Sequence, residues 1–262
     1  MLFRELDIPD AVKDALESRG FRELYPPQEM SLPIAVSGKS IVAAVPTASG
    51  KSMVGFIPIL KTVLEKRKRA LYIVPLKALA TEKRDDMEAF SKLGIKTVAL
   101  TGDPDRDDDI GGADVVIATS EKADSMIRHG NPWLDGLGIL VADEVHMIND
   151  PGRGPTLEIA MTKLIRRYRG LQVIALSATI SNAEDLAYWL EAELVRSDWR
   201  PTKLKEGVYF EGDIVFADGT GLKVPVQKDP VAAMVRQTIG DGGQCLVFVN
   251  SRRSAESVAR NL

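Results

Sequence analysis

Residues 41–52 have the sequence IVAAVPTASGKS, and the rest of the chain is organised around them. The first five residues are apolar and rich in β-branched types, which is typical of a buried strand. Small residues follow, and Gly50, Lys51 and Ser52 lead into a predicted helix over residues 53–64. A strand, a small-residue loop, the sequence GKS and a helix together form the context that a phosphate-binding loop requires.

The chemistry of such a loop depends on its backbone and on two side chains. Successive N–H groups and the N-terminus of the following helix attract an anion. Lys51 would reach the β- and γ-phosphates of a nucleotide, and the Ser52 hydroxyl would hold Mg²⁺. The general pattern G-x-x-x-x-G-K-[ST] begins with Gly, whereas Val45 stands at that position here. A Gly/Ser turn that happens to precede a lysine is therefore the alternative.

Composition places the chain among ordinary globular proteins. Its 262 residues, 45% apolar and 27% charged, suit one large domain or one and a half. The single cysteine, Cys245, excludes a disulfide framework, and no Cys/His cluster has zinc spacing. We expect Cys245 to be a core residue of a strand over residues 245–249.

Charge and hydropathy narrow the expected partners. The first residues are charged and no apolar run is long enough to span a bilayer, which predicts a cytoplasmic protein without a membrane partner. The net charge of −3 is not the bulk signature of a nucleic-acid binder. A bound strand would need local contacts aligned in a groove.

Apolar runs recur along the chain and alternate with helical patterns. Strands are predicted at residues 69–74, 96–100, 114–118, 138–142 and 172–176. This alternation indicates a parallel sheet with helices on both faces, in which ligands bind at the carboxyl ends of the strands. PLKALA, TGD, TSEK, DEVH and SAT each follow a strand, so we expect them at that edge. Thr119, before Ser120 and Glu121, also suits a helix N-cap.

Two further features suggest nucleotide chemistry. Asp143 and Glu144 end an apolar strand, where carboxylates are costly to bury without a partner. Asp143 would hold Mg²⁺ through water, and Glu144 would orient the attacking water; a strand that simply exits into solvent is the alternative. Two prolines predict an extended segment before Gln28, whose amide matches the edge of adenine. An ordinary loop glutamine is the alternative there.

The pattern changes after residue 200. Short strands and turns are predicted over residues 208–216, a helix over 230–239, the strand 245–249, and a helix from residue 251. We therefore expect a first domain at residues 1–200 and the incomplete start of a second at residues 201–262.

Taken in order, these segments resemble a superfamily-2 helicase of the Ski2-like DExH group. PTASGKS, PLKALA, TGD, TSEK, DEVH and SAT look like motifs I, Ia, Ib, Ic, II and III. LYPPQ looks like the adenine-reading Q motif, and VFVNSRRSAE looks like motif IV, at the start of a second RecA-like domain. The segment RGPTLE at residues 153–158 and the WRP sequence at 199–201 also look like this group. The archaeal Hjm/Ski2-type DNA-repair helicases are most similar, over nearly the whole chain.

The resemblance implies a RecA-like P-loop NTPase domain that uses ATP and Mg²⁺. Gln28 would read adenine, and the triphosphate would be wrapped by Pro46, Thr47, Ala48, Ser49, Gly50, Lys51, Ser52 and Met53. The motif II box would be Asp143, Glu144, Val145 and His146, and hydrolysis would be coupled to strand movement by Ser177, Ala178 and Thr179. The backbone of a single strand would be contacted by Lys77, Thr101, Gly102, Thr119 and Arg153.

The implied activity is ATP-driven 3′-to-5′ translocation on single-stranded DNA or forked DNA, in repair or stalled-fork processing. A Ski2-like RNA helicase and a non-catalytic strand-binding scaffold are the rival interpretations. Two departures qualify the resemblance. The first, Val45 in place of glycine, is a mild departure, because such helicases often carry Ala at this position. The Q-x-x-G-R-A-G-R motif and the winged-helix and ratchet domains are missing, so we expect a fragment that hydrolyses ATP poorly.

Overall fold

A parallel sheet forms the centre of residues Met1–Pro201, one of two compact units; the computed structural model describes residues 1–101, 110–224 and 229–262. The strands of this unit are β1 (Ile41–Ala44), β2 (Arg69–Val74), β3 (Thr97–Leu100), β4 (Val115–Thr119), β5 (Leu137–Ala142), β6 (Gln172–Ser177) and β7 (Glu193–Arg196). Their order is β3-β4-β2-β5-β6-β1-β7, and every neighbouring pair is parallel.

Helices connect these strands. Those described in this unit are α1 (Asp10–Ser18), α2 (Pro26–Val36), α3 (Lys51–Lys66), α4 (Lys77–Glu88), α5 (Ser120–Arg128), α6 (Gly154–Arg167) and α7 (Ala183–Trp189). Short 3₁₀ helices lie at Phe3–Glu5, Ser91–Leu93, Pro132–Gly136 and Val145–Asn149. In the described parts of the whole chain, no helix is long and apolar enough to cross a membrane.

Both faces of the sheet are covered. Along β2, Tyr72 belongs to the core shared with α1 to α4, whereas Leu71 and Ile73 belong to the core shared with α5 to α7. Successive strand residues point to opposite faces, so strands buried on both sides become continuous apolar runs. The predicted α/β architecture, a parallel sheet flanked by helices, is confirmed.

The region before Gln28 differs from the prediction. Pro26 and Pro27 are the first two residues of α2, and Gln28 is its third. The predicted extended segment is wrong because the fixed φ of proline suits a first helical turn, where its missing N–H needs no partner. Gln28 is therefore held on a helix, with its side chain buried.

Residues Thr202–Leu262 form the second compact unit. Three described strands form an antiparallel sheet, and two helices follow: β8 (Gly207–Phe210), β9 (Asp213–Phe216), β10 (Gly221–Lys223), α8 (Pro230–Gly240) and α9 (Arg252–Asn261). The predicted short strands and both helices are present. The predicted strand over residues 245–249 is wrong, and Cys245 is exposed rather than in a core. A strand needs a hydrogen-bonded neighbour, and the described sheet pairs only β10, β9 and β8. That this unit starts a second RecA-like domain stays a prediction.

Candidate active site

The strand order places three of the predicted segments side by side. In the sheet, β6 lies between β5 and β1, so Ser177 ends between the segment that follows β1 and the DEVH segment that follows β5. The Val45 N–H donates to the Ser177 carbonyl at 3.1 Å, which continues the pairing of these strands by one residue. Val45 thus acts as a strand residue without a positive φ, and nothing in its conformation requires glycine.

The loop between β1 and α3 has the backbone of an anion-binding turn. Ala48 and Gly50 have φ values of 66° and 81°, in the left-handed region. The buried Ser49 hydroxyl donates to the Pro46 carbonyl at 2.7 Å and closes the loop. A Cβ at Gly50 would overlap the Gln28 amide, so this position needs glycine for both conformation and space. Left-handed non-glycine residues such as Ala48 cluster at ligand sites.

Lys51, at the start of α3, is a buried ammonium with a distant partner. Its Nζ lies 3.4 Å from Oε1 of Glu144, and the residue is 8% exposed. A charge-assisted N–H···O bond is normally about 2.7–2.9 Å long, so this pair is loose. Glu144 has a φ of 50°, and its other oxygen lies 3.4 Å from His146 Nδ1 without hydrogen-bond geometry. Lys51 could therefore take a closer anionic partner.

Asp143 is held more firmly. Its Oδ2 accepts a hydrogen bond from the Tyr72 hydroxyl at 2.9 Å, and its Oδ1 accepts one from the Glu144 N–H at 3.0 Å. Burial raises the pKa of the Asp143 carboxyl; the charge of Glu144 acts in the same direction, whereas Tyr72, Lys83 and Lys51 oppose the rise. Burial, with Asp143 next to it, also raises the pKa of Tyr72, so this hydroxyl stays a donor.

Tyr72 and Lys83 are the site residues that the sequence reasoning missed. Lys83, on α4, donates to the Ser52 hydroxyl at 3.0 Å and is 8% exposed. A signal for it existed, because Ala80, Lys83 and Met87 share the buried stripe of α4, where a lysine is unusual. Tyr72 is the one hydroxyl in the apolar strand β2, and such groups find partners when buried.

The predicted cofactors fit these residues. The Ser52 hydroxyl and the Asp143 carboxylate are oxygen ligands of the kind that Mg²⁺ prefers. Within the described residues no group of three or more His, Cys, Asp or Glu could hold a metal ion. Mg²⁺ usually keeps several waters and binds through one or two side chains plus substrate phosphates, which matches so few ligands. The loosely paired Lys51 and the left-handed loop fit the phosphates themselves.

The remaining predicted nucleotide residues lie around this centre. The Gln28 amide accepts from the Tyr25 N–H at 2.9 Å and donates to the Gly50 carbonyl at 3.1 Å, so it ties α2 to the loop. One donor and one lone pair of the amide are left for a ligand. Tyr25 also packs against Trp199, with ring centroids 5.0 Å apart and the rings tilted by 36°. That Gln28 contacts adenine stays a prediction.

Among the predicted coupling residues, Ser177 is the buried one. Its hydroxyl has no hydrogen-bond partner in the part of the chain that the structure describes, whereas Thr179 is exposed and Ala178 is half-buried. A buried hydroxyl without a hydrogen-bond partner costs free energy, so a bound ligand that supplies the partner would be favoured.

The predicted strand contacts begin the helices at the same edge. Lys77 is the exposed first residue of α4, and Arg153, the N-cap of α6, is exposed and donates to the Pro75 carbonyl at 3.2 Å. Thr119 is the N-cap of α5, as its position suggested, and its buried hydroxyl accepts from the backbone of the same helix.

Two further predicted contacts follow β3. Thr101 is half-buried directly after this strand, and Gly102 lies outside the described residues. All five strand-contact roles, including those of Lys77, Thr119 and Arg153, stay predictions.

Comparisons with known proteins agree with this geometry. The ATP-dependent DNA helicase Hel308 of Methanocella arvoryzae is 48% identical over 269 residues, and that of Pyrococcus horikoshii is 43% identical over 264 residues. Each alignment covers 100% of this chain but 36% of the relative, so the chain spans little more than a third of these proteins.

Solved helicases share the fold. The crystal structure of the DUF1998 helicase MrfA has a TM-score of 0.76 at 27% identity, covering 97% of this chain and 40% of that one. The DNA-bound structure of MrfA has a TM-score of 0.60 at 25% identity, covering 72% and 29%. With these neighbours, the parallel sheet and its flanking helices are those of a RecA-like helicase domain.

A family model describes the same region. The DEAD/DEAH box helicase model matches residues 25–186, a range that contains the β1–α3 loop, the DEVH segment and Ser177. This match covers more than half of the chain. The chain therefore belongs to the DEAD/DEAH box helicase family.

Proposed function

We propose that this chain provides the ATP-hydrolysing lobe of an ATP-dependent DNA helicase that moves 3′ to 5′ along single-stranded DNA. The observation that carries the proposal is the convergence of Lys51, Ser52, Asp143 and Glu144 at one edge of the sheet, with Lys51 and Glu144 3.4 Å apart. The names of the Hel308 relatives supply the nucleic acid in the proposal. Forked or stalled replication DNA is the proposed substrate, and the cytoplasm the proposed location.

Lys51 and Glu144 exchange partners in this scheme. A γ-phosphate gives the Lys51 ammonium a closer anion than Glu144, so the carboxylate is released. Glu144 then orients a water molecule and takes up its proton while the water oxygen bonds to the γ-phosphorus. The bond between the γ-phosphorus and the β,γ-bridging oxygen breaks, and its electron pair stays on that oxygen, which leaves as part of ADP. Ser52 and Asp143 would hold Mg²⁺, which would neutralise part of the phosphate charge.

Coupling to a strand is assigned to the residues around this centre. Ser177 sits between the β1 and β5 ends with its hydroxyl free among the described residues, so it can respond to the γ-phosphate. Thr179 and Ala178 extend that response. The residues proposed to contact the sugar–phosphate backbone of the DNA strand are Lys77 and Arg153, at the starts of α4 and α6, together with Thr101, Gly102 and Thr119. The second compact unit is proposed as the opening of the other RecA-like lobe.

The test is ATP hydrolysis by the full-length protein that contains these residues, with single-stranded DNA, single-stranded RNA or no strand. We expect strong stimulation by DNA and loss of turnover in Lys51→Ala. Lys61→Ala is the matched control, because Lys61 is another buried lysine of α3 and pairs with Asp7 instead. Stimulation by RNA, or equally by both, would withdraw the DNA assignment and leave the hydrolytic site. Undiminished turnover in Lys51→Ala would overturn that site.

A further inference from the structure

Lys83 presents a positive charge at the position where the nucleotide site needs a cation. Its Nζ donates to the Ser52 hydroxyl at 3.0 Å, the same oxygen that the proposed function gives to Mg²⁺. It also donates to Glu82 at 3.1 Å and lies 3.9 Å from Asp86. Lys83 therefore contacts one of the two protein groups expected to bind the metal.

The local ion pairs of Lys83 do not account for its position. The Glu82 and Asp86 side chains are 57% and 47% exposed, and exposed ion pairs contribute little. A lysine is rarely as buried as Lys83, at 8% exposure, because desolvating its ammonium is costly. The contact of Lys83 inside the site is its hydrogen bond to the Ser52 hydroxyl.

We propose that Lys83 replaces the divalent cation when no nucleotide is bound. Its ammonium donates a hydrogen bond to the Ser52 hydroxyl, and binding of the magnesium–nucleotide complex displaces it. This inference rests on the proposed function. Displacement follows from geometry and charge. Mg²⁺ binds its oxygen ligands at about 2.0–2.1 Å, so on Ser52 it would lie within a few ångström of an ammonium that is 3.0 Å from the same oxygen. The like charges also repel at that range.

Displacement of Lys83 also reaches α4. The contact between Lys83 and Ser52 joins the middle of α4 to the first turn of α3. Lys77, the proposed strand contact, begins α4 six residues before Lys83, roughly 9 Å along the helix axis. Breaking this contact on nucleotide binding removes the tie between α4 and the first turn of α3. The nucleotide state thereby acts on the segment that contacts the strand, with Lys83 as a positioning residue.

The test measures how much Mg²⁺ nucleotide binding requires. A fluorescent ADP, N-methylanthraniloyl-ADP, is titrated with MgCl₂ at constant ionic strength, and the midpoint is compared between wild type and Lys83→Met. We expect the Mg²⁺ midpoint to fall about tenfold in the variant, since a neighbouring unit charge at an effective dielectric constant near 20 changes ion affinity by at least that factor. Lys61→Met, another buried lysine, should leave the midpoint unchanged.

A second variant keeps the test decisive if Lys83→Met does not fold. Lys83→Gln keeps a donor for Ser52 but removes the charge, and it should lower the midpoint in the same direction. An unchanged or raised midpoint in a folded Lys83 variant would overturn the inference, because Lys83 would then only support the fold or bind phosphate. If wild type binds no nucleotide at any Mg²⁺ concentration, the proposed function fails first. Normal wild-type binding with an unchanged variant midpoint refutes the role of Lys83 alone.

Discussion

The hydrogen bond between Tyr72 and Asp143 can be removed by deleting a single heavy atom. Tyr72→Phe deletes the hydroxyl that donates to Asp143 at 2.9 Å and leaves the ring, which lies 5.7 Å from the ring of Phe56. Tyr72 is completely buried and Asp143 is 7% exposed, so water cannot readily replace the lost donor. The Asp143 carboxylate then keeps the Glu144 N–H but loses its partner at Oδ2.

The expected loss of stability follows from this geometry. A hydrogen bond to a charged group contributes about 1.5–3 kcal/mol, and little packing is lost with one oxygen. At roughly 2–4 °C per kcal/mol for a domain of this size, the melting temperature should fall by roughly 3–12 °C. Urea unfolding should show a lower midpoint with an unchanged slope, because the surface exposed on unfolding is nearly the same.

The chain contains a matched control for this change. The Tyr168 hydroxyl is also buried, but it has no hydrogen-bond partner among the described residues. Tyr168→Phe therefore deletes the same atom without breaking a bond, and it should be neutral or slightly stabilising. Unrelated surface changes alter the free energy of unfolding by up to about 0.5 kcal/mol. If the free energies of unfolding of the two variants differ by less than that, the hydrogen bond to Asp143 does not stabilise the fold.

Two further predictions concern the β1–α3 loop and the pairing of α5 with α6. Gly50→Ala should destabilise the chain by more than about 1 kcal/mol and abolish nucleotide binding, because alanine is strained in the left-handed conformation and its methyl group would overlap Gln28. Gly94→Ala is the control. It introduces the same backbone strain where the methyl group has open space, so nucleotide binding should be kept. Burial acts to raise the pKa of Asp124, but hydrogen bonds, that of Lys163 first, lower it below 3.8 overall. The stability that Asp124 contributes is thus present above about pH 4 and lost as the pH falls through its folded pKa. In urea unfolding, Asp124→Asn should be less stable than wild type by about 1 kcal/mol or less at neutral pH. This difference should vanish in acid. A deficit that persists at low pH would contradict this pairing.

Sequence patterns predicted the sheet well because strands buried on both faces become apolar runs. Strand β7 shows the limit, since ELVR buries Val195, half-buries Leu194 and leaves Glu193 and Arg196 at its two ends exposed. An edge strand of this kind carries no apolar run to detect. The pair Pro26–Pro27 was misjudged for a related reason. A proline pair suits an extended segment and a first helical turn equally, and the packing of the residues that follow decides between them.

Sequence patterns indicated candidate site residues only where the chemistry depends on neighbours in sequence. Lys51 follows the glycine of its own loop, and Asp143 and Glu144 end their own strand. Tyr72 could not be assigned to Asp143 in this way, because the contact requires β2 to lie beside β5, and strand order is a property of the whole sheet. Lys83 likewise meets Ser52 only once α4 is placed against the start of α3.

The proposed function and the proposed role of Lys83 join the two lysines and the two carboxylates in one scheme. Lys51 pairs loosely with Glu144, Lys83 donates to Ser52, and both lysines are among the charges that act to lower the pKa of Asp143. Under the proposed function, the phosphates attract Lys51 while Mg²⁺ takes Ser52 from Lys83. One binding event would then break both contacts and release Glu144, the group proposed to orient water. Lys51 would hold the Glu144 carboxylate until the nucleotide binds, so hydrolysis would wait for its substrate.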